Sequence, residues 1–397
     1  MTSEDAATPG AATLGVAMVG HSFMGAAHSQ AWSVAPRFFD LPLAPRMVVV
    51  AGRRPDAAEA AARRYGWAGS TADWRSVLQR DDVDLVDVCT PGDTHAEIAV
   101  AALDAGKHVL CEKPLANSVE EAETMVAAAE RAAAHGVRAT VGFTYRRVPA
   151  IALARRLVAD GRIGTVRHVR AQYLQDWIAD ESAPMSWRLD KERAGSGALG
   201  DIGAHVVDLA QHVTGELLTG VSGLLETFVH ERPLPGDGGG DLRGTAGEGT
   251  GRVTVDDAAV FTARLAGGGL ATFEATRFAH GRKNAIRLEV NGSRGSLAFD
   301  FEDMNVLHYY DATEDPVVAG FRRIYVTEPD HPYGGAWWPA GHGLGYEHAF
   351  THQVVDLLGA LAEGRDPEPT FADGLQVQRV MAAVEASSAS GCAWQAL

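Results

Sequence analysis

The leading candidate for a catalytic residue in this chain is a lysine at the end of an apolar run. Lys113 follows the run 108–111 and precedes Pro114. If that run is a strand of a parallel sheet, Lys113 lies at the edge where such sheets bind ligands, and Pro114 fixes the direction of the chain. An ammonium group there could act beside a bound nicotinamide. An isolated lysine in a turn is more often solvated, so this interpretation depends on a cofactor site elsewhere in the sequence.

The turn after the apolar run 14–19 is a nearly complete dinucleotide-binding fingerprint, with the sequence Gly20-His21-Ser22-Phe23-Met24-Gly25. Gly20 permits the tight turn, and Gly25 permits close packing of a helix on the strand. Ser22 replaces the glycine that usually lets the backbone approach the pyrophosphate, but its hydroxyl can donate to a phosphate oxygen. We therefore predict that the cofactor lies against Gly20, Ser22, Phe23, Met24 and Gly25. A glycine-rich turn that binds nothing is the alternative.

The segment after the second apolar run bears on the choice of cofactor. An acidic side chain normally accepts a hydrogen bond from the ribose of NAD at this place, but here Arg53 and Arg54 follow Gly52. Arginine can stack on adenine or pair with a 2′-phosphate. The sequence therefore allows both NAD and NADP, and we predict that the two arginines contact the cofactor.

Polar residues after the run 84–88 are predicted to complete the cofactor crevice. Thr90, Pro91 and His95 follow this run and should line the crevice near the nicotinamide half. A threonine and a histidine at the start of a helix could instead be caps.

A second cluster of acid–base residues lies in the segment 195–208. Asp201 and His205 are four residues apart, so on a helix they share one face, and Asp208 follows three residues later. Oxidation of a secondary alcohol needs a base that takes the hydroxyl proton, and histidine suits that task near neutral pH. A carboxylate one turn away can orient the histidine or pair with Lys113. The alternative is that Asp201 caps the helix and His205 is a core residue.

The order of apolar runs and helical patterns predicts an α/β fold with two domains. Between residues 14 and 147, apolar runs alternate with helical stretches, which is typical of parallel strands joined by crossover helices. Residues 148–397 contain strand-like runs joined by glycine turns, which predicts an α+β domain with a large open, mostly antiparallel sheet. Residues 1–13 are predicted to be a disordered tail. The predicted strands are 14–19, 47–51, 84–88, 108–111, 138–141, 166–174, 223–229, 258–265, 271–276, 285–290 and 296–301, and a long mobile loop is predicted for 233–251.

Composition restricts the class of protein further. A chain of 397 residues exceeds the size at which one core usually keeps growing. The formal net charge of -16 argues against nucleic acid or an anionic membrane surface as the main partner. The three cysteines have no zinc-type spacing, and no metal is predicted. The sequence shows neither a secretory signal pattern nor a membrane span, so the expected location is cytoplasmic.

Three separated motifs resemble those of the family named after glucose-fructose oxidoreductase, inositol dehydrogenase and the rhizopine-catabolism proteins. They are Gly20-x-x-x-x-Gly25-x-x-His28, Glu112-Lys113-Pro114 and Asp201-x-Gly203-x-His205. The resemblance implies an NAD(P)-binding Rossmann domain and an open sheet that commonly forms oligomer contacts, here in a homodimer or homotetramer. It implies catalytic roles for Lys113, Asp201 and His205. Glu112 would then lie near the nicotinamide ribose and Asp208 near the substrate hydroxyls.

Further segments resemble the levoglucosan dehydrogenase subfamily of that family. They are 38–39, 145–147, 173–177, 186–188, 274–277, 280–282 and 331–334. A sugar site needs an apolar platform for the ring and polar groups for the hydroxyls. Six side chains supply such apolar and polar groups and are predicted to contact the sugar: Arg146, Gln175, Asp176, Trp177, Trp187 and Arg188.

The predicted activity is reversible oxidation of a secondary hydroxyl on a cyclic sugar, anhydrosugar, glycoside or cyclitol, with hydride passing to the nicotinamide. His205 is the first candidate for the general base and Lys113 for the group that polarises the reacting oxygen, although the two could exchange roles. One alternative is glycoside cleavage by transient oxidation with a retained cofactor. Another is a non-catalytic sensor of nicotinamide state.

The second sheet is also expected to form the oligomer interface. The runs 258–265, 271–276 and 285–290 carry apolar residues on both alternating sets. An apolar outer face of that size is rarely left exposed on a monomer, and a closed dimer or tetramer would bury it.

Overall fold

The computed structural model describes residues 12–236 and 245–397. Its helices are α1 (Phe23–Phe38), α2 (Pro55–Tyr65), α3 (His95–Asp104), α4 (Val119–Ala133), α5 (Pro149–Ala159), α6 (Lys191–Ala194), α7 (Ala204–Thr214), α8 (Tyr346–Ala362) and α9 (Phe371–Ala389). Its strands are β1 (Ala12–Val19), β2 (Leu43–Ala51), β3 (Gly69–Thr71), β4 (Leu85–Val88), β5 (His108–Cys111), β6 (Ala139–Val141), β7 (Val166–Leu174), β8 (Leu218–Glu226), β9 (Glu231–Pro235), β10 (Ala246–Arg252), β11 (Ala258–Leu265), β12 (Leu270–Thr276), β13 (Ala285–Gly292), β14 (Gly295–Asp300), β15 (Val306–Asp311), β16 (Arg322–Tyr325) and β17 (Gln395–Ala396).

The first sheet is parallel and has the strand order β3-β2-β1-β4-β5-β6. This is the strand order of a doubly wound dinucleotide-binding sheet, in which the sequence of neighbouring strands reverses beside the first strand. Val16 and Met18 of β1 are fully buried, as expected for a strand covered by helices on both faces. The predicted Rossmann architecture is confirmed.

Helix α8 belongs to the same compact unit as the first sheet, although it lies far along the chain. The first unit comprises the chain up to Arg147 together with Gly345–Leu375, and the second comprises Val148–Leu344 and the residues from Gln376 onward. Phe350, Val354, Leu357 and Leu358 are spaced along one face of α8 and pack into the core of the first unit. This division differs from the predicted domains, which assigned all of 148–397 to the second. Strand β1 also begins at Ala12, inside the predicted tail, of which residues 1–11 lie outside the described chain.

The second unit is built on a nine-stranded sheet with the order β16-β15-β14-β13-β7-β12-β11-β8-β17. All its neighbours are antiparallel except β7 and β12, which run parallel, so the predicted mostly antiparallel sheet is confirmed. Alternating residues of β11 and β12 are buried, and the rings of Phe261 and Phe273 stack with centroids 4.6 Å apart. Helices α5 and α7 pack together over the buried face.

The other face of this sheet is mainly polar, which corrects the expected apolar face. Arg170 on β7 pairs with Glu289 on β13 at 3.2 Å. Arg287 pairs with Asp300 at 2.9 Å. Among the large apolar side chains of the described strands, Leu224 and Val260 form an exposed cross-strand pair on this face. In a strand, successive side chains point to opposite faces of the sheet. The apolar residues of the two alternating sets are therefore divided between the two faces and do not form one outer surface.

Part of the predicted long loop is also ordered as a hairpin. β9 pairs antiparallel with β10 in a separate two-stranded sheet. Residues 237–244 of the predicted loop lie outside the described chain. Among the helices of the two described ranges, none is both long and apolar enough to cross a membrane.

A buried histidine in α8 makes the first unit sensitive to acid. The ring of His352 is fully buried, and its Nδ1 donates to the carbonyl oxygen of Arg147 at 2.9 Å. Burial lowers the pKa of His352 to about 3, and the nearby charges of His348 and Arg147 act in the same direction. The folded protein therefore keeps this ring neutral under conditions in which an unfolded chain would protonate it.

We predict that His352→Asn weakens the loss of stability in acid, because asparagine keeps a donor for the Arg147 carbonyl and removes the titration. In the parent, the free energy of unfolding falls as the pH drops below about 6.5, where the unfolded state takes up a proton that the folded state refuses. Between about pH 7.5 and about pH 5 the parent should lose about 2 kcal/mol more than the variant. Chemical denaturation at several pH values measures this difference, and parallel curves for the two proteins would contradict it.

Candidate functional site

The turn between β1 and α1 has the geometry of a dinucleotide cradle. Gly20 has a φ of 101°, and a Cβ there would lie 2.6 Å from the carbonyl oxygen of Cys89. A Cβ on Gly25 would lie 2.4 Å from the carbonyl oxygen of Gly20. Ser22 is the N-cap of α1, and in the described chain its side chain forms no capping bond and the first turn of α1 has no acidic residue. The amide groups at this helix start are therefore suited to the negatively charged pyrophosphate of a dinucleotide.

Most of the predicted cofactor residues follow the carboxyl ends of adjacent strands. Arg53 and Arg54 are exposed after β2, and Thr90 and Pro91 follow β4. Because β2, β1, β4 and β5 are neighbours, these residues lie along one edge of the sheet together with Lys113. In the first turn of α1, the ring of Phe23 stacks on that of Tyr346 from α8, with centroids 6.2 Å apart. Met24 beside it packs against the core of this unit.

His95, which was predicted to line the cofactor crevice, forms hydrogen-bond contacts with two turns of the first unit. Its ring is buried, Nδ1 lies 2.9 Å from the carbonyl oxygen of Pro114, and Nε2 lies 2.8 Å from that of Thr90. Both ring nitrogens are thus engaged by the backbone. His95 joins the turn after β4 to the turn after β5, and it shapes the crevice through those turns.

A buried histidine bridges two carboxylates beneath the lysine turn. Nδ1 of His28 lies 2.9 Å from Asp87 Oδ2, and Nε2 lies 3.0 Å from Glu112 Oε1, with all three side chains buried. Trp32 also donates to Asp87, at 2.7 Å. Burial acts to lower the pKa of His28, but the charge of Asp87 outweighs it and raises the pKa well above its usual value. The ring is therefore an imidazolium that donates to both carboxylates.

This network supports the turn that carries Lys113. The backbone N–H of Lys113 donates to Glu112 Oε2 at 3.3 Å. Gly142 leaves the space that Glu112 occupies, because a Cβ there would lie 2.6 Å from Oε1. Asp87 was missed by the sequence interpretation, although an aspartate inside the apolar run of β4 is a signal of a buried polar network.

Cys89 also touches this network, but the cluster has an explanation without a metal. Its thiol donates to Asp87 Oδ1 at 3.4 Å. Burial raises the pKa of Cys89, so the thiol keeps its proton and can donate it to the carboxylate. Hydrogen bonds thus account for the grouping of His28, Asp87 and Cys89.

In the second unit, Asp201 and His205 lie on two kinds of helix. Asp201 is in one turn of π-helix, Leu199–Gly203, and α7 begins after it with His205 in its first turn. The α-helical geometry considered for Asp201 and His205 therefore applies to His205, while Asp201 lies in the π-turn before it, and π-turns are common at functional sites. Asp208 is buried farther along α7. The ring of His205 lies beside that of Tyr173, with centroids 5.9 Å apart.

Two side chains hold the π-turn in place. The buried carboxylate of Asp256 accepts from the N–H groups of Gly197 at 2.7 Å and Leu199 at 2.8 Å. Gly197 packs directly on the backbone of Asp256, where a Cβ would lie 1.8 Å from its carbonyl oxygen. The guanidinium of Arg277 lies 3.4 Å from Asp201 Oδ2. Neither Asp256 nor Arg277 was predicted as a site residue.

The predicted sugar residues fall into separate groups. Trp177 Nε1 donates to Gln175 Oε1 at 3.0 Å, and Gln175 Nε2 donates to Asn284 at 2.8 Å. The guanidinium of Arg188 lies 4.4 Å from the centre of the Trp187 ring. Both pairs combine an aromatic ring with a hydrogen-bonding group, which is the chemistry expected of a sugar platform.

Two predicted contacts are already engaged elsewhere. Asp176 accepts from Lys283 at 2.7 Å and from the N–H of Gly281 at 3.0 Å, and the Lys283 bond lowers its pKa. Arg146 belongs to the first unit, where it is buried and lies 3.8 Å from Asp373.

Comparison with known proteins identifies the family. Residues 14–143 match the model of an oxidoreductase family with an NAD-binding Rossmann fold, and residues 151–298 match the model of the GFO/IDH/MocA C-terminal domain. The chain is 44% identical over 381 residues to levoglucosan dehydrogenase of Pseudarthrobacter phenanthrenivorans, covering 95% of this chain and 96% of that protein. The chain belongs to the GFO/IDH/MocA family of oxidoreductases.

Two solved structures are similar to this chain over most of its length. An oxidoreductase domain protein from Kribbella flavida is 70% identical, with a TM-score of 0.93, 97% of this chain covered and 99% of that one. Levoglucosan dehydrogenase in complex with NADH and levoglucosan is 41% identical, with a TM-score of 0.91 and the same coverage. The family and fold that the three motifs predicted are confirmed.

The packing of Gly197 yields a test of the turn that carries Asp201. We predict that Gly197→Ala lowers the free energy of unfolding by about 1–3 kcal/mol, because the new methyl group would displace the Asp256 backbone. Gly320→Ala is the control, since a Cβ there meets no atom within 4 Å. Denaturant titrations of both variants measure the effect, and equal midpoints would show that the turn adapts without cost.

Proposed function

We propose that the protein is an NAD(P)-dependent dehydrogenase that oxidises a secondary hydroxyl of a cyclic sugar, with anhydrosugars of the levoglucosan type as the first candidates. Glycosides and cyclitols are the next candidates. The observation that carries the proposal is the 44% identity to a levoglucosan dehydrogenase along 95% of the chain. It agrees with a dinucleotide cradle in the first unit and an acid–base pair beside aromatic platforms in the second.

Each proposed catalytic residue has a defined task in this reaction. A bound NAD(P)+ would supply the hydride acceptor, which is C4 of its nicotinamide. His205 takes the hydroxyl proton, and the positive charge of Lys113 stabilises the negative charge that develops on the same oxygen. Asp201 keeps His205 in the orientation and protonation state that proton transfer requires. Glu112 and Asp208 are proposed to lie near the nicotinamide ribose and the sugar hydroxyls.

The sugar is proposed to bind on the aromatic pairs of the second unit. Trp177 and Trp187 offer flat faces for the C–H side of a ring, while Gln175 and Arg188 supply hydrogen bonds. The hydrogen bonds between Trp177, Gln175 and Asn284 fix these groups before a ligand arrives, which reduces the entropy lost on binding. Asp176 and Arg146 are proposed to act by supporting the site, given their existing ion pairs.

An activity screen tests the proposed function. Levoglucosan, inositols, glucose, xylose and simple glycosides are incubated with NAD+ or NADP+, and the absorbance of the reduced cofactor is followed. A dehydrogenase produces reduced cofactor in proportion to the substrate consumed. Release of an aglycone without net reduction would instead indicate glycoside cleavage with a retained cofactor, and no reaction with any sugar would contradict the proposal. Comparison of the two cofactors also measures the preference between NAD and NADP.

Lys113 provides a sharper test of the mechanism. We predict that Lys113→Ala lowers kcat by at least about 100-fold and leaves the dissociation constant of the cofactor nearly unchanged, because the ammonium acts mainly on the transition state. Lys191→Ala is the control, since its side chain is half exposed and pairs with Glu385 at 3.0 Å. Steady-state kinetics and cofactor titration provide the two readouts. A kcat within a few-fold of the parent would remove Lys113 from the mechanism.

We further propose that the protein is a homodimer or homotetramer assembled through the outer face of the nine-stranded sheet. This face has a shallow groove of about 410 Å³, lined by charged and polar side chains that include Arg170, Glu274 and Glu289. Charges of both signs allow a second copy to pair with the same surface about a two-fold axis. Val260 also lines this groove, and it forms an exposed apolar pair with Leu224 of the neighbouring strand.

Light scattering tests this assembly. We predict a mass of two or four chains for the parent and a shift towards one chain for Val260→Arg, because the larger, charged side chain would disrupt the packing of a second copy on this surface and would lose its hydration there. Val317→Arg is the control, since Val317 is 88% exposed and lies outside the sheet strands. A parent with the mass of one chain, or an equal response to both variants, would contradict the proposed interface.

We also propose a cytoplasmic location. The three cysteines are free, which is typical of a reducing compartment. Fractionation of cells that express the protein provides the test.

A further inference from the structure

Arg277 is a buried cation between the candidate acid–base residue and the candidate sugar platform. It follows β12 and is fully buried. One amino group, Nη1, lies 3.4 Å from Asp201 Oδ2, and the other, Nη2, donates to the carbonyl oxygen of Asp256 at 3.3 Å. Its guanidinium carbon lies 5.5 Å from the centre of the Trp177 ring. One side chain therefore contacts the π-turn, its support and the aromatic platform.

The surroundings of Arg277 make its contact with Asp201 important. A guanidinium removed from water needs nearby negative charge, because its own desolvation is costly. Asp256 and Asp257 lie at the start of β11, but the Asp256 carboxylate is committed to the N–H groups of Gly197 and Leu199. Asp257 Oδ2 accepts from the N–H groups of residues 228 and 229. Asp201 is the carboxylate that forms a direct ion pair with Arg277 in the described structure.

Other titratable groups on the elements packed against the π-turn complete this environment. Helix α7 contributes His205 and Asp208, and strand β7 contributes Tyr173. Arg232 of β9 is a second buried cation near Arg277 and Asp257. Its amino groups donate to the carbonyl oxygens of residues 178, 180 and 183, and in the described chain it has no bond to Asp201.

We propose that Arg277 is a positioning residue that keeps Asp201 ionised and correctly oriented and that also fixes Trp177, so that the acid–base pair and the sugar platform share one support. This inference rests on the proposed role of Asp201. It adds a residue outside the three motifs to the catalytic arrangement. Arg277 does not touch the reacting atoms, so its effect passes through Asp201 and Trp177.

The proposal has a consequence for the dependence of activity on pH. An opposite charge in contact with a carboxylate lowers its pKa by about 1–3 units. Without the guanidinium, Asp201 would hold its proton at higher pH, and the loss of a nearby cation would also favour protonation of the proposed base His205. The acidic limb of the kcat/KM profile, which reports this pair, would therefore move to higher pH. A residue that served only to fill the core would lower activity or stability at all pH values and leave this limb in place.

The matched variants are Arg277→Met, Arg277→Lys and Arg232→Met. Arg277→Met removes the charge and keeps an apolar chain of similar length, whereas Arg277→Lys keeps the charge and loses the two-pronged geometry. Arg232→Met removes an equally buried arginine that supports the backbone of residues 178–183 and not Asp201. If the methionine variant folds poorly, the lysine variant still tests whether the geometry of the guanidinium is needed.

The first measurement is the pH profile of kcat/KM with levoglucosan and NAD+. We expect the acidic limb to rise by about 1 unit or more in Arg277→Met, which is about a tenfold larger loss of activity on that limb. Arg277→Lys should restore most of this shift, and Arg232→Met should leave the limb unchanged. KM for levoglucosan should also rise in Arg277→Met, because Trp177 loses its cationic neighbour.

The second measurement does not depend on catalysis. Thermal unfolding of the parent and of Asp201→Asn is compared across the acidic pH range, and the same comparison is made in the Arg277→Met background. In each background, the unfolding temperatures with and without Asp201→Asn diverge at the pH where Asp201 titrates. This pH should be higher in the Arg277→Met background than in the parent. The proposal would be overturned if Arg277→Met left both the acidic limb of kcat/KM and the pH at which the unfolding curves separate unchanged. A shifted separation point in a protein that oxidises none of the sugars tested would support the Arg277–Asp201 coupling and reject the proposed function.

Discussion

Buried positive charge organises the candidate site in both units of this protein. In the first unit, the His28 imidazolium lies between Asp87 and Glu112, and Glu112 in turn accepts from the backbone of Lys113. In the second unit, Arg277 lies between Asp201 and the backbone of Asp256. A buried ion is costly unless every neighbour is well placed, so such groups tolerate few alternative arrangements. The turns that carry Lys113 and Asp201 are therefore fixed more tightly than ordinary surface turns.

The site shows which features a sequence can predict. The parallel sheet was predictable because its strands are continuous apolar runs, and the cradle was predictable because two of its glycines sit where any side chain would collide with backbone. Lys113 and His205 could be proposed as site residues because their chemistry is unusual at the ends of such elements. These signals are local, and each can be recognised within a few neighbouring residues.

The residues that were missed depend on contacts between distant segments. Asp87 and His28 are 59 positions apart, and Arg277 and Asp201 are 76 apart. An arginine after a strand has no local feature that distinguishes a buried anchor from a solvated end. The same limit explains the wrong expectation for the outer sheet face, because composition alone does not determine which alternating set faces the helices. The backbone contacts of His95 were not predictable for a related reason, since its carbonyl partners come from two different turns.

Helix α8 has a consequence for how the protein is made. The core around Trp32 and Leu85 is completed by Phe350 and Leu357, which leave the ribosome only after eight of the nine strands of the second sheet have been synthesised. Until then, the nascent nucleotide-binding half exposes an apolar surface that its own sequence cannot cover. Closing contacts across such a separation is slow, and the waiting intermediate is prone to aggregate. The short crossovers of the first sheet would suggest that this domain folds unaided. Production of this enzyme should nevertheless depend on chaperones or on slow translation.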